Sequence, residues 1–275
     1  MNRRSVSFGV QMCVLTLAAL IVLYPLFLIV SNSLKSKEEF ARNRVDPPKT
    51  IAFENYAQVW REGRIPETTR NSFLIALFSL AGQIVIGSLA AYALTKMGLK
   101  RAETLSALFL LPMIFSSQLV IIPLFLMFRA LRMLNTVQGI VLIYIAGGLP
   151  LTIYMLSRFM NSVPNALTES ARIDGANHFT IYSRIIMPLT KVALSTLIVI
   201  NGLGIWNDFF LPYMFFTSSK LRTLPLNTYL FREEHGAQWH LICTNMVFTI
   251  TPVLVVYLFL QKFIISGVVA GAVKG

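Results

Sequence analysis

Side chains able to do chemistry are sparse in this chain, and their depth in apolar runs is informative. Gln83 sits at the centre of a charge-free run, 71–95, and Ser116, Ser117 and Gln118 sit at the centre of another, 104–128. Asn201 follows Val192, which opens a third run, by nine residues, about 13 Å along a helix. Amide and hydroxyl groups at such depth either bond helix to helix or line a polar cavity. Asp208 lies about 24 Å along the same run, near its end, where capping and solvation account for it. His178, His235 and His240 are isolated, and Cys13 and Cys243 lie in or beside apolar stretches, so neither a metal site nor a disulfide is indicated. There is no G-x-x-x-x-G-K-[ST] phosphate cradle and no H-E-x-x-H pair, and Gly202 and Gly204 are not completed into a dinucleotide fingerprint. With no nucleophile–base pair either, the chain carries no evident means of hydrolysing ATP, so energy for any work must come from a partner.

The other patterned polar stretch is 164–188. Pro164 suits a helix start, because the first turn does not use the missing N–H. Leu167, Ser170, Ala171 and Asp174 then share one helical face. Gly175 offers a left-handed stop, Asn177 a cap for a second helix, and Pro188 an end to it. Phe179, Tyr182, Ser183 and Ile186 repeat the spacing on that second helix. From spacing alone this is helix, glycine turn, helix, and an amphipathic loop lying on a membrane surface would look the same.

The elements that must hold these residues are membrane spans. The chain is 55% hydrophobic and 13% charged over 275 residues, a membrane composition. About 20 apolar residues cross a bilayer core. The runs predict an all-α membrane protein with six transmembrane helices, at about 8–30, 71–95, 104–128, 138–158, 190–212 and 241–262, in one transmembrane domain, 1–275. Pro112 and Pro123 fall in the third span, and Gly147, Gly148 and Pro150 in the fourth. The first span is long and lacks a small-residue cleavage site, so it reads as a retained helix. The net charge of +12 would suggest nucleic acid in a soluble protein, but the basic residues lie mostly in loops, where a membrane surface explains them. Arg3 and Arg4 favour a cytoplasmic N-terminus, and six spans return the C-terminus to that side. The positive-inside bias supports this only when the long loop 31–70, rich in both signs of charge, is set aside. Within that loop Phe53, Tyr56, Val59 and Trp60 form a short amphipathic piece suited to an interface.

Glu169, Ser170, Ala171, Gly175, Ile185 and Pro188 resemble the EAA loop of bacterial ABC importer membrane subunits, whose pattern is E-A-A, three residues, G, nine residues, I-x-L-P. Ser170 and Met187 depart from it with side chains of similar size. The resemblance implies that 164–188 is a cytoplasmic coupling loop seated in a groove of a partner ATPase, with Glu169, Ser170, Ala171, Asp174, Gly175, Ile185 and Pro188 as its coupling residues. The tail Gly271-Ala272-Val273-Lys274-Gly275, the phrase Trp206-Asn207-Asp208 and the phrase Phe53-Glu54-Asn55-Tyr56 extend the likeness to nearly the whole chain. The tail is similar to that of carbohydrate-class permeases, the maltose and glycerol-phosphate importer type.

That family implies a bacterial inner-membrane, multi-pass subunit paired with a second permease, two ATP-binding subunits and an extracytoplasmic solute-binding protein. No cofactor is expected on this chain, since ATP and Mg would sit on the partner ATPase. A sugar would suit the midplane amides and hydroxyls, so Gln83, Ser116, Ser117, Gln118, Tyr144, Asn201 and Trp206 form the expected substrate path, with Tyr144 or Trp206 as an apolar face. The alternatives are a secondary transporter or channel independent of an ATPase, which would use intramembrane acids or repeats, and a membrane-embedded enzyme.

Overall fold

The chain has so few turn-forming breaks inside its apolar runs that long helices are the expected outcome. In the computed structural model, which describes residues 3–114, 119–233 and 236–272, regular structure is helical apart from a two-residue ladder pairing Arg232–Glu233 with Gly236–Ala237. The helices in order are α1 (Arg3–Ser33), α2 (Lys37–Arg42), α3 (Glu54–Glu62), α4 (Ile65–Lys96), α5 (Ala102–Leu110), α6 (Ile121–Ala130) and α7 (Val137–Asn161). Then follow α8 (Asn165–Ile173), α9 (His178–Ile181), a π turn (Tyr182–Ile186), α10 (Met187–Leu189), α11 (Lys191–Asn207), α12 (Phe210–Phe215) and α13 (Trp239–Ala272).

Among the described residues four helices are long and apolar enough to cross a membrane: Gln11–Ser33, Ile65–Lys96, Val137–Asn161 and Trp239–Leu258. They match four of the six spans expected. A fifth arises only if His178–Leu189 and Lys191–Asn207, bent by 73° where they meet, count as one crossing. The span expected at 190–212 therefore ends early, at Asn207. Asp208 leaves the helix with ψ 121°, and its carboxylate accepts the N–H groups of Phe210 (2.7 Å) and Leu211 (3.3 Å), which starts α12 instead. The span expected at 104–128 is not one helix. It is Ala102–Ile114, closing in a 3₁₀ turn, and Ile121–Ala130. Pro112 has no N–H to continue α5, whereas Pro123 falls in the first turn of α6, where none is needed.

The chain forms two compact units, residues 1–68 with 224–252, and residues 69–223 with 253–275. In the first, the end of α1 is tied down by side chains. Asn55 donates to the carbonyls of Ser33 (2.9 Å) and Lys35 (2.8 Å), Thr244 donates to Ser33 O (3.1 Å), and the Ser33 and Tyr56 hydroxyls lie 2.7 Å apart. The amphipathic piece expected at 53–60 is α3. Val59 is its fully buried anchor, and the Tyr56 and Trp60 rings meet Phe248 on α13.

In the second unit α7 is central, with α5 and α11 against it. Glycines let α4 and α7 approach closely. A Cβ on Gly82 would strike Ile145, one on Gly87 would strike Thr152, and one on Gly148 would strike the Gln83 amide. Towards one end, Phe128 and Ile143 pack with Phe215, whose ring meets Phe125 and Phe128 edge-on. Towards the other, Ala91, Tyr92, Leu156, Met160, Val163, Ile181, Ile186, Ala193 and Leu197 form one buried cluster. Residues from α4, α7, α9, the π turn and α11 are thus joined in a single core.

Candidate functional site

The segment 164–188 takes its shape from a few local bonds. The first helix, α8, ends in a paired capping motif. Gly175 N–H donates to Arg172 O (3.0 Å) and Ala176 N–H to Ala171 O (2.9 Å), with Gly175 at φ 83°. That motif requires a left-handed residue four positions after the residue whose carbonyl closes the outer bond. The interval from Ala171 to Gly175 is therefore geometric. Ala171 and Ala176, the residues joined by that bond, both lie against the buried cluster. Asn177 then caps α9, accepting from Thr180 N–H at 2.8 Å.

Pro188 does not end the second helix as expected from sequence. The helix widens into a π turn just before it, with Met187 N–H donating to Tyr182 O, and resumes through Pro188. A proline ring would strike the carbonyl four residues back in a straight α-helix. The wider turn relieves that contact, and the chain changes direction only after Leu189.

The two arms differ in exposure. On the second, Ile181 and Ile186 are buried and Ile185 is half-buried against the core. On the first, Glu169, Ser170 and Asp174 are exposed, as are Gly175 and Pro188. Glu169 makes no ion pair among the described residues. Beside these acids stand large apolar side chains open to solvent: Ile173 is 87% exposed, Phe179 71% and Leu167 45%. Sequence reasoning did not single out Ile173 and Phe179 as an exposed apolar pair. The available signal was a bulky apolar residue on each side of the glycine turn, within otherwise polar neighbours.

The midplane residues divide differently. The structure brings Gln83, Tyr144 and Asn201 together from α4, α7 and α11. Gln83, 2% exposed, donates to Tyr144 O (2.7 Å) and accepts from Asn201 Nδ2 (2.8 Å). The same Asn201 nitrogen lies 3.2 Å from Thr152 Oγ1, which donates to Gly148 O (2.8 Å). Thr152 was not anticipated, because a threonine in a helix usually bonds its own backbone and nothing in the sequence told of a second role. Tyr144, also buried, points its hydroxyl at Asp208 Oδ2, 2.9 Å away. Asp208 is thus both a cap and an acceptor between elements. Asn201 and Trp206 are half-buried. Ser116, Ser117 and Gln118 lie outside the described residues.

Residues 83–269 match the family model described as binding-protein-dependent transport system inner membrane component. The chain is 33% identical to the melibiose/raffinose/stachyose import permease protein of Bacillus subtilis (strain 168), over 96% of this chain and 98% of that one. It is 30% identical to the arabinooligosaccharides transport system permease protein of the same organism, over the whole of both chains. Among solved structures it is similar to a chain of a bacterial ABC transporter involved in the import of the acidic polysaccharide alginate, with a TM-score of 0.80 and 26% identity, covering 95% of this chain and 98% of that one. Matched over its polar network, its capped segment and its last helix, the chain belongs to the family of binding-protein-dependent transport system inner membrane components.

Proposed function

We propose that this chain is a membrane-spanning permease subunit of an ATP-driven importer for a sugar or oligosaccharide. The observation that carries the reading is the two-armed segment 164–188. The second arm is built into the core, and around the glycine turn the segment presents the acids Glu169 and Asp174 with the exposed apolar side chains of Leu167, Ile173 and Phe179. Such a surface fits an ATPase whose closure would move the segment and switch the permease between outward- and inward-facing states. Glu169, Ser170, Ala171, Asp174, Gly175, Ile185 and Pro188 are its coupling residues, with Leu167, Ile173 and Phe179 as apolar contacts. The assembly is a second permease, two ATP-binding subunits that hold ATP and Mg, and an extracytoplasmic binding protein. The sugar class is supported by the melibiose/raffinose/stachyose and arabinooligosaccharide permeases to which the chain is similar. The substrate path runs by Asn201 and Trp206, with Gln83 and Tyr144 behind them and Ser116, Ser117 and Gln118 included.

The test is purification from native membranes followed by an ATPase assay with a sugar panel, raffinose and arabino-oligosaccharides first. Co-elution with an ATPase, and hydrolysis stimulated by a sugar with its binding protein, are expected. Sugar uptake that persists in vesicles without any ATPase would overturn the reading in favour of a self-contained transporter.

A further inference from the structure

This inference rests on the reading of 164–188 as the coupling segment and concerns how its movement reaches the membrane. Ser88, Tyr92 and Lys96 stand one turn apart on α4 and so share a face. Each reaches the segment at a different point. The Ser88 hydroxyl lies 2.7 Å from the Tyr182 hydroxyl in the π turn. The Tyr92 hydroxyl lies 3.2 Å from His178 Nδ1, and its ring is edge-on to both His178 and Tyr182. Lys96 Nζ donates to Val163 O (2.8 Å) and Asn165 Oδ1 (2.9 Å), while the Lys96 carbonyl accepts from Arg172 (3.3 Å). Ser88 is fully buried and Tyr92 is 4% exposed, so the α4 side of the inner two contacts is shielded from water, while Tyr182 is half-buried and His178 exposed. Both arms of the segment are therefore held by one stripe of one helix. On another face of α4, Gln83 holds Tyr144 and Asn201.

We propose that Ser88, Tyr92 and Lys96 are positioning residues that latch the coupling segment to α4, so that a displacement of the docked segment is delivered through α4 to Gln83 and its partners on α7 and α11. The interior around this stripe is close-packed, and close-packed contacts pass on a shift instead of absorbing it. The latch sets how much transport each ATP yields, and not whether the ATPase binds.

The experiment uses the intact complex, purified from native membranes and reconstituted in lipid vesicles with ATP inside and the binding protein outside. Uptake of the sugar that stimulates the wild type, raffinose being the first probe, is measured together with ATP hydrolysis. Ser88→Ala, Tyr92→Phe and Lys96→Met are each expected to lower sugar moved per ATP by roughly fivefold or more, with ATPase content and basal hydrolysis retained. Ser88→Ala and Tyr182→Phe remove the same bond, so the double variant should be no worse than the poorer single one. Lys96→Arg, which keeps a donor at that place, should restore the ratio. An unchanged ratio in all three variants overturns the latch. So does a fall in uptake and hydrolysis strictly in step with loss of assembled complex, because that is an anchor only. A wild-type complex that shows no ATP-dependent uptake at all removes the functional reading itself, and the latch with it.

Discussion

Gly175 shows how far a single residue can be argued. Its φ of 83° is the left-handed region, and among the described residues no heavy atom would crowd a Cβ there. The demand on the residue is therefore conformational and not spatial. Gly175→Val should strain the turn by about 1–2 kcal/mol or more, since a β-branched side chain resists that conformation. Transport is expected to fall at least tenfold while the membrane level, read by quantitative blotting, holds. Gly175→Asn should be tolerated, because asparagine visits that region readily. Normal transport in the valine variant would show the turn to be incidental. Asn201 makes a different case. Bonds between helices in a membrane contribute about 0.6 kcal/mol each, so Asn201→Ala, which loses two contacts, should cost about 1 kcal/mol and leave the complex assembled. If Asn201 touches sugar, substrate-stimulated hydrolysis should shift in affinity or selectivity. If thermal stability alone changes, it is helix glue. Gly175 and Asn177 were legible in the sequence because their bonds are local. Ser88 and Thr152 were not, because their partners come from helices remote in the chain and a serine or threonine in a run gives no sign of them.

At the scale of elements, four spans were legible as uninterrupted apolar runs, and two extents were not. Apolar length alone did not distinguish Ala102–Ile114 and Ile121–Ala130 from one helix, although Pro112 carried the break. Capping was the role expected of Asp208, but apolar length did not show that the N–H groups it accepts from begin a new helix. The second arm of segment 164–188 was misjudged for the opposite reason. Pro188 looked like a terminator, yet a widened turn absorbs it. The glycine turn, with Ile173 on the first arm and Phe179 on the second, is where an element-level prediction belongs. Ile173 and Phe179 are mostly exposed, and Phe179 touches only the edge of the core through the Tyr182 ring, so placing a charge on either should change this chain's own stability little. Burying a large apolar side chain is worth about 1.5–3 kcal/mol. Ile173→Asp and Phe179→Asp are therefore each expected to weaken retention of the ATPase on affinity purification by roughly tenfold or more. Thermal melting of the permease should move little. Undiminished co-purification with both variants would mean that this face of the segment does not dock.

For the molecule as a whole the open matter is which end faces the cytoplasm, and the second compact unit frames it. At one end of that unit Lys96, Arg172 and the capped segment converge. At the other, Asn135 accepts from the N–H groups of Thr217 and Ser218, and Asn71 donates to the carbonyls of Lys220 and Arg222. α11 separates these ends by its 17 residues, about 25 Å, close to the thickness of a bilayer core. The first end also carries Lys100, Arg101, Arg158, Arg184 and Lys191, the excess expected on a cytoplasmic face. The second has Arg70, Arg129, Arg132, Lys220 and Arg222, five against seven at the first end once Lys96 and Arg172 are counted. The prediction is that the end bearing segment 164–188 is cytoplasmic. With Cys13 and Cys243 replaced, Ser170→Cys and Lys220→Cys give one reporter at each end, both at exposed positions. In intact cells a membrane-impermeant thiol reagent should label position 220 and spare position 170. In inside-out vesicles the pattern should reverse. Labelling of position 170 from outside would invert the unit and place the segment beyond reach of any cytoplasmic ATPase, whatever its likeness to a coupling loop.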